Sequence, residues 1–222
     1  MRTFGAMHSF SIPVQKTAFC ATAGDAEKPA HIWFVLHGYG QLASYFIRHF
    51  EAVAGADTVV TAPEAPSRFY LDGTYGRVGA CWMTKHERET DIADLNAYLD
   101  RMFDEVCRRY AADASTKFHF LGFSQGVPVL CRWLARRAEI PVHRLVLWAG
   151  AVPHDMPLPE LEHLLRRGAS YIVYGTEDPF LKEAQFPMLQ TVLNERRLPA
   201  EIKTFTGGHT LDAGLLSELK NL

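Results

Sequence analysis

No stretch of this sequence is long and uniformly apolar. No run approaches the roughly 20 residues that a bilayer-spanning helix needs, so a transmembrane segment is not expected. The N-terminal MRTFGAMHSFSIPVQ has no continuous apolar core of the secretory kind, so a signal peptide is not expected either. Cysteine is sparse: Cys20, Cys81, Cys107 and Cys131 are scattered with no C-x-x-C spacing. That pattern offers neither a disulfide framework nor a zinc site, and it predicts a reduced, cytoplasmic setting. No sign of charge dominates. A formal net charge of −2 provides no electrostatic reason to expect nucleic acid or an anionic membrane as partner. Repeats, low-complexity tracts and linkers are also missing.

What is present suits one globular unit. A chain of 222 residues with 48% apolar and 22% charged residues can bury a substantial core, so residues 1–222 are expected to form one domain. Short apolar runs alternate with helical periodicities. Ile32 to Leu36 (IWFVL), Thr58 to Ala62, His143 to Ala149, Ser170 to Gly175 and Glu201 to Phe205 read as strands. Ser9 to Thr22 alternates loosely through Phe10, Ile12 and Val14 and reads as an edge strand or hairpin, with Pro13 favouring the edge.

The clearest helix is Arg88 to Tyr110. Ile92, Leu95, Leu99, Met102, Phe103, Val106 and Tyr110 form its apolar stripe, and Thr84 and Glu87 have capping-box spacing upstream. Further helices are expected over Ser44–Ala54, Glu160–Arg167, Phe180–Arg197 (interrupted near Pro187) and Thr210–Lys220. Alternating strands and helices predict an α/β fold with a mostly parallel sheet covered on both faces. Residues 63–87 follow neither period and are rich in Gly and aromatics, including Phe69, Tyr70, Tyr75 and Trp82. They are expected to be a long ordered loop over one end of the sheet.

One stretch carries chemistry. Lys117 to Pro128 reads KFHFLGFSQGVP, and its Gly122-Phe123-Ser124-Gln125-Gly126 matches G-x-S-x-G. Phe118, Phe120 and Leu121 suit a buried strand; Val127, Val129, Leu130, Trp133 and Leu134 recur at helical spacing. A serine on so tight a strand-to-helix turn projects out of the sheet, and glycines at minus two and plus two avoid clashes. Pro128 falls in the first helical turn, where a missing N–H removes no bond.

A serine hydroxyl is a weak nucleophile at neutral pH and needs a base, which in turn needs an orienting carboxylate. In parallel sheets such groups sit just after strands. Asp178 follows SYIVYG and His209 follows EIKTF and two glycines, in the Ser…Asp…His order expected of an α/β-hydrolase. Glu177 and Asp155 are rival acids, although Asp155 lies in a PHDMP turn suited to a local role. His37, His119 and His143 lie on or beside strands and read as structural. A tetrahedral oxyanion needs two donors: the Gln125 amide, and one from His37-Gly38-Tyr39-Gly40, with Tyr39 chosen over Gly38 or Gly40.

LHGYG after the first buried strand, GFSQG, Asp178-Pro179 and the late glycine-preceded His209 together resemble the carboxylesterase/phospholipase and acyl-protein thioesterase group of α/β-hydrolases. The similarity runs from about Ile32 to the end, and the Asp-Pro pair favours Asp178 over Glu177 by analogy. The resemblance implies a serine hydrolase with a small-molecule ester or thioester substrate and no cofactor or metal. The chain departs from the group's pattern at Gln41, where an acidic residue is usual, and at Val127-Pro128, where a further glycine is common. Trp82 and Phe180 are the expected substrate-binding residues, with Trp82 walling an apolar acyl cleft. A lactone hydrolase, a peptidase or a non-catalytic binding protein on the same scaffold are the alternatives.

Overall fold

The computed structural model describes residues 9–181, 191, 193, 195 and 198–222. A seven-stranded sheet in the order β1-β3-β2-β6-β7-β8-β9 forms its centre. The strands are β1 (Cys20–Ala23), β2 (His31–Leu36), β3 (Thr58–Pro63), β6 (Lys117–Phe123), β7 (Arg144–Trp148), β8 (Ala169–Gly175) and β9 (Ala200–Phe205). Only β1 is antiparallel to its neighbour; the other pairings are parallel. A separate two-stranded hairpin joins β4 (Ser67–Tyr70) to β5 (Val78–Cys81).

The apolar runs are continuous because both faces of the sheet are covered. Ile32, Phe34 and Leu36 of β2 pack with Phe118, Phe120, Leu145, Leu147 and Ile172 into one core. Helices α2 (Arg88–Arg109), α3 (Gly126–Arg136) and α4 (Leu158–Leu165) cover that face through residues such as Leu99, Trp133 and Leu164. Trp33 and Val35 point the other way, with Leu121, Phe123, Val146 and Trp148, beneath α1 (Ala43–Phe46) and α5 (Ala213–Asn221). Side chains alternate across a strand, so two cores need apolar residues at every position.

Several expectations change. The segment before β1 is not a strand: Phe10, Ile12 and Val14 are 92%, 70% and 78% exposed, since their alternation meets no covering layer. The helix expected over Ser44–Ala54 is only α1, followed by a 3-10 turn over Ile47–Phe50. Ile47, Phe50 and Val53 are all buried, and their spacing of three matches the 3-10 repeat better than the α repeat. Residues 63–87 contain the β4–β5 hairpin rather than a loop alone. The Thr84–Glu87 capping box does not form. Glu87 is itself the N-cap at φ 50° with no side-chain cap bond, and the Thr84 amide donates to Asp91 Oδ2 at 3.2 Å. α5 starts later than expected because Asp212 caps it, accepting from Leu215 N at 2.7 Å. The helix expected over Phe180–Arg197 lies mostly outside the described residues. Among the described residues no helix is long and apolar enough to cross a membrane.

Candidate active site

The C-terminal ends of β2, β6, β7, β8 and β9 form one rim, and the residues singled out by sequence follow them. After β6 the chain turns at Ser124, whose φ is 52° and whose amide donates to Trp148 O at 2.8 Å. A serine in the left-handed region is strained, and here the turn into α3 requires it. The flanking glycines are there for close approach. A Cβ on Gly122 would lie 2.7 Å from Gly126 O and 2.8 Å from Val127 Cα, and one on Gly126 would collide with Leu36 O. Pro128 sits at the third position of α3, in its first turn.

His209 Nε2 lies 2.8 Å from Ser124 Oγ, and His209 Nδ1 lies 2.7 Å from Asp178 Oδ2. A carboxylate only accepts, so Nδ1 carries the proton and Nε2 is free to accept from the serine hydroxyl. Asp178 is buried, and its Oδ1 accepts from Phe180 N at 2.9 Å, which fixes the carboxylate plane. Trp148 Nε1 donates to Thr210 O at 2.9 Å and anchors the segment next to His209. The imidazole is packed by Phe123 and by Phe180, at 5.1 Å and 4.8 Å between ring centroids. Phe180 is 59% exposed, so it presents a free apolar face beside the histidine.

The rival groups are placed elsewhere. Glu177 is exposed, and its amide donates to Gly207 O at 2.9 Å. Asp155 is paired with Arg88 at 2.8 Å and Arg132 at 2.5 Å. Partial burial opposes its ionisation, but these hydrogen bonds win and bring its carboxyl down to about 2. Burial pushes the Cys20 and Cys131 thiols up to about 12 and Cys107 up to about 11, so none of them is a thiolate competitor to Ser124. His37 is buried and structural: its Nε2 accepts from Ala65 N at 3.0 Å, and its Nδ1 therefore donates to Gly38 O at 2.7 Å. Burial lowers its pKa and keeps it neutral.

In the HGYG loop, Gly38 N donates to Gln41 Oε1 at 2.8 Å and Gly40 N donates to Ala80 O at 2.8 Å. Of the three candidate amides, Tyr39 is the one with no such partner among the described residues. The expectation for Trp82 does not hold. It is 1% exposed, and its Nε1 donates to His37 O at 2.7 Å. An indole buried with its N–H satisfied belongs to the core and does not wall an open cleft. The Gln125 side chain and Gly150 escaped the sequence reading, and Gln41 was noted there only as a departure from the group's pattern. A Cβ on Gly150 would collide with Ser124 O, so this glycine makes room for the turn from the neighbouring strand. Its place directly after a buried strand was the available signal. Among the described residues, no group of three or more His, Cys, Asp or Glu is placed to hold a metal ion.

No protein-family model and no curated protein matches the sequence. Solved structures do. Esterase PE8 aligns with a TM-score of 0.65 at 18% identity, over 93% of this chain and 97% of that one. Acyl-protein thioesterase 2 from Zea mays aligns at 0.62 and 15% identity, over 93% and 97%. The Bacillus cereus carboxylesterase aligns at 0.61 and 19% identity, over 92% of each chain. The architecture is the α/β-hydrolase fold, and at these identities the likeness establishes the fold.

Proposed function

We propose that this chain is a serine hydrolase that cleaves carboxylic esters or thioesters through an acyl-enzyme. The observation that carries the reading is the unbroken relay from Ser124 Oγ through His209 to Asp178, at 2.8 Å and 2.7 Å. The esterase, thioesterase and carboxylesterase among the structural neighbours support the same chemistry.

Ser124 Oγ attacks the carbonyl carbon while its proton passes to His209 Nε2. Asp178 holds the imidazole tautomer and stabilises the imidazolium. The carbonyl oxygen takes up negative charge against the Tyr39 and Gln125 amides. Collapse of the tetrahedral intermediate breaks the bond to the alcohol or thiol, which leaves with the proton from Nε2. Water then loses a proton to Nε2 and attacks the acyl carbon, and breakdown of the second intermediate returns the proton to Ser124 and frees the acid. Phe180 contributes apolar contact to the substrate beside the imidazole.

A fluorophosphonate is expected to label Ser124. Ser124→Ala is expected to abolish labelling and to lower ester hydrolysis by about 10⁶-fold, and Asp178→Asn by about 10⁴-fold. Unchanged turnover of p-nitrophenyl esters in Ser124→Ala sinks the proposal. A panel of esters of increasing chain length, thioesters, lactones and peptides identifies the leaving group.

A further inference from the structure

The two donors assigned to the oxyanion lie on separate backbone turns. Tyr39 follows β2, and Gln125 follows β6. The ladder between these strands ends at the pair Leu36 and Gly122, so the sheet itself does not tie the two turns together beyond that point. Both are instead tied to one short piece of the hairpin. Ala80 O accepts from Gly40 N at 2.8 Å, and Ala80 N donates to Gln41 O at 3.1 Å, forming an isolated antiparallel bridge. Two residues later Trp82 N donates to Gln125 Oε1 at 3.0 Å, and Met83 O accepts from Gln125 Nε2 at 2.8 Å. Gly79 seats the strand: a Cβ there would lie 2.7 Å from Gly40 Cα and would collide with Gly40 O. Trp82 Nε1 closes the clamp on His37 O.

We propose that β5 and its extension Trp82–Met83 form a splint that fixes the separation of the two oxyanion donors, with Gly79 and the Gln125 side chain as its positioning residues. The inference rests on the reading of Ser124 as nucleophile. A pair of donors serves the transition state only if both are held to a fraction of an ångström, and a displacement of about 1 Å lowers the rate by about 100-fold. The splint meets that requirement through backbone bonds to the HGYG loop and side-chain bonds from Gln125, none of which touches Ser124 or His209. Gly38 is withdrawn from the loop's free donors by Gln41, so the splint has one amide, Tyr39, to aim at the site.

The test compares Gln125→Met with Gly79→Ala. The first removes both amide bonds of the latch and keeps the backbone donor; the second pushes the strand off the HGYG loop. Each folded variant is expected to lose about 10- to 100-fold in kcat with KM within about twofold. A trifluoromethyl ketone analogue, which forms the tetrahedral adduct, is expected to bind more weakly by the same factor as kcat/KM. The matching unreactive ether is expected to bind as to the wild type. Circular dichroism establishes folding, and if Gly79→Ala does not fold, the half-buried Gln125→Met decides. A folded Gln125→Met with wild-type kcat overturns the splint alone, as does equal weakening of ketone and ether. A wild-type chain that turns over no ester and is not labelled at Ser124 overturns the parent reading and the splint with it.

Discussion

Ser124 occupies a backbone conformation that a serine does not choose. A left-handed φ costs a non-glycine residue about 1–2 kcal/mol, and the strain is imposed by the turn between β6 and α3. Ser124→Gly is therefore expected to raise stability by about 1 kcal/mol in urea titration while abolishing turnover; a destabilised variant contradicts the strain assignment. His119 gives a second prediction at this scale. It is buried against Trp33, its Nδ1 accepts from Arg144 Nη1 at 3.2 Å, and its Nε2 then donates to His31 Nδ1 at 2.9 Å. Burial, reinforced by the Arg144 charge, holds its pKa down to about 2, against an ordinary value of 6.5. The folded state thus refuses a proton that the unfolded chain accepts below about pH 6.5. The His119 contribution is constant above that pH and lowers stability as pH drops from 6.5 towards 2, by about 1.4 kcal/mol per unit once the unfolded histidine is charged. Burial of His37 adds to the same slope. Melting temperature followed from pH 8 to 5 measures this, and His119→Gln is expected to flatten part of the slope. The convergence of Ser124, Asp178 and His209 was legible because each follows a strand of one parallel sheet, Ser124 and Asp178 after the buried β6 and β8 and His209 after the half-exposed edge strand β9. Trp82 was misread because an aromatic in a Gly-rich stretch looks the same from sequence whether it walls a cleft or fills a core; the His37 carbonyl that satisfies its indole is 45 residues away.

Elements with a strong period were the readable ones. α2 keeps its stripe over 22 residues, and Leu95, Leu99, Phe103 and Val106 are buried on it. Leu99→Ala is expected to cost about 2–5 kcal/mol, measured by chemical denaturation, because the surrounding Phe and Trp side chains cannot collapse into the gap. The hairpin was not readable. β4 and β5 have four residues each, and Ser67, Arg68 and Tyr70 are exposed, so no alternation betrays them. The early 3-10 turn was hidden for a related reason: Phe46, Ile47 and Phe50 satisfy an α-helical pattern as well as they satisfy the observed one.

For the molecule as a whole, the two cores share one sheet, and β2, β6, β7 and β8 each contribute to both. Unfolding is accordingly expected to be a single transition, with far-ultraviolet dichroism and tryptophan fluorescence superimposing in denaturant; separated midpoints count against that coupling. The parallel architecture was visible in the alternation of apolar runs and helical stripes. The pairing order was not, since it depends on which crossovers bury which helix.

The loops that bear Asp178 and His209 lean directly on one another. A Cβ on Gly175 would run into the backbone of Gly207 and Gly208, and Glu177 N donates to Gly207 O at 2.9 Å. In the proposed mechanism the base and its orienting carboxylate are thereby mounted as a single cassette. Lengthening either loop to admit a bulkier substrate shifts both groups at once, so a redesign of substrate scope has to leave these two loops at their present lengths.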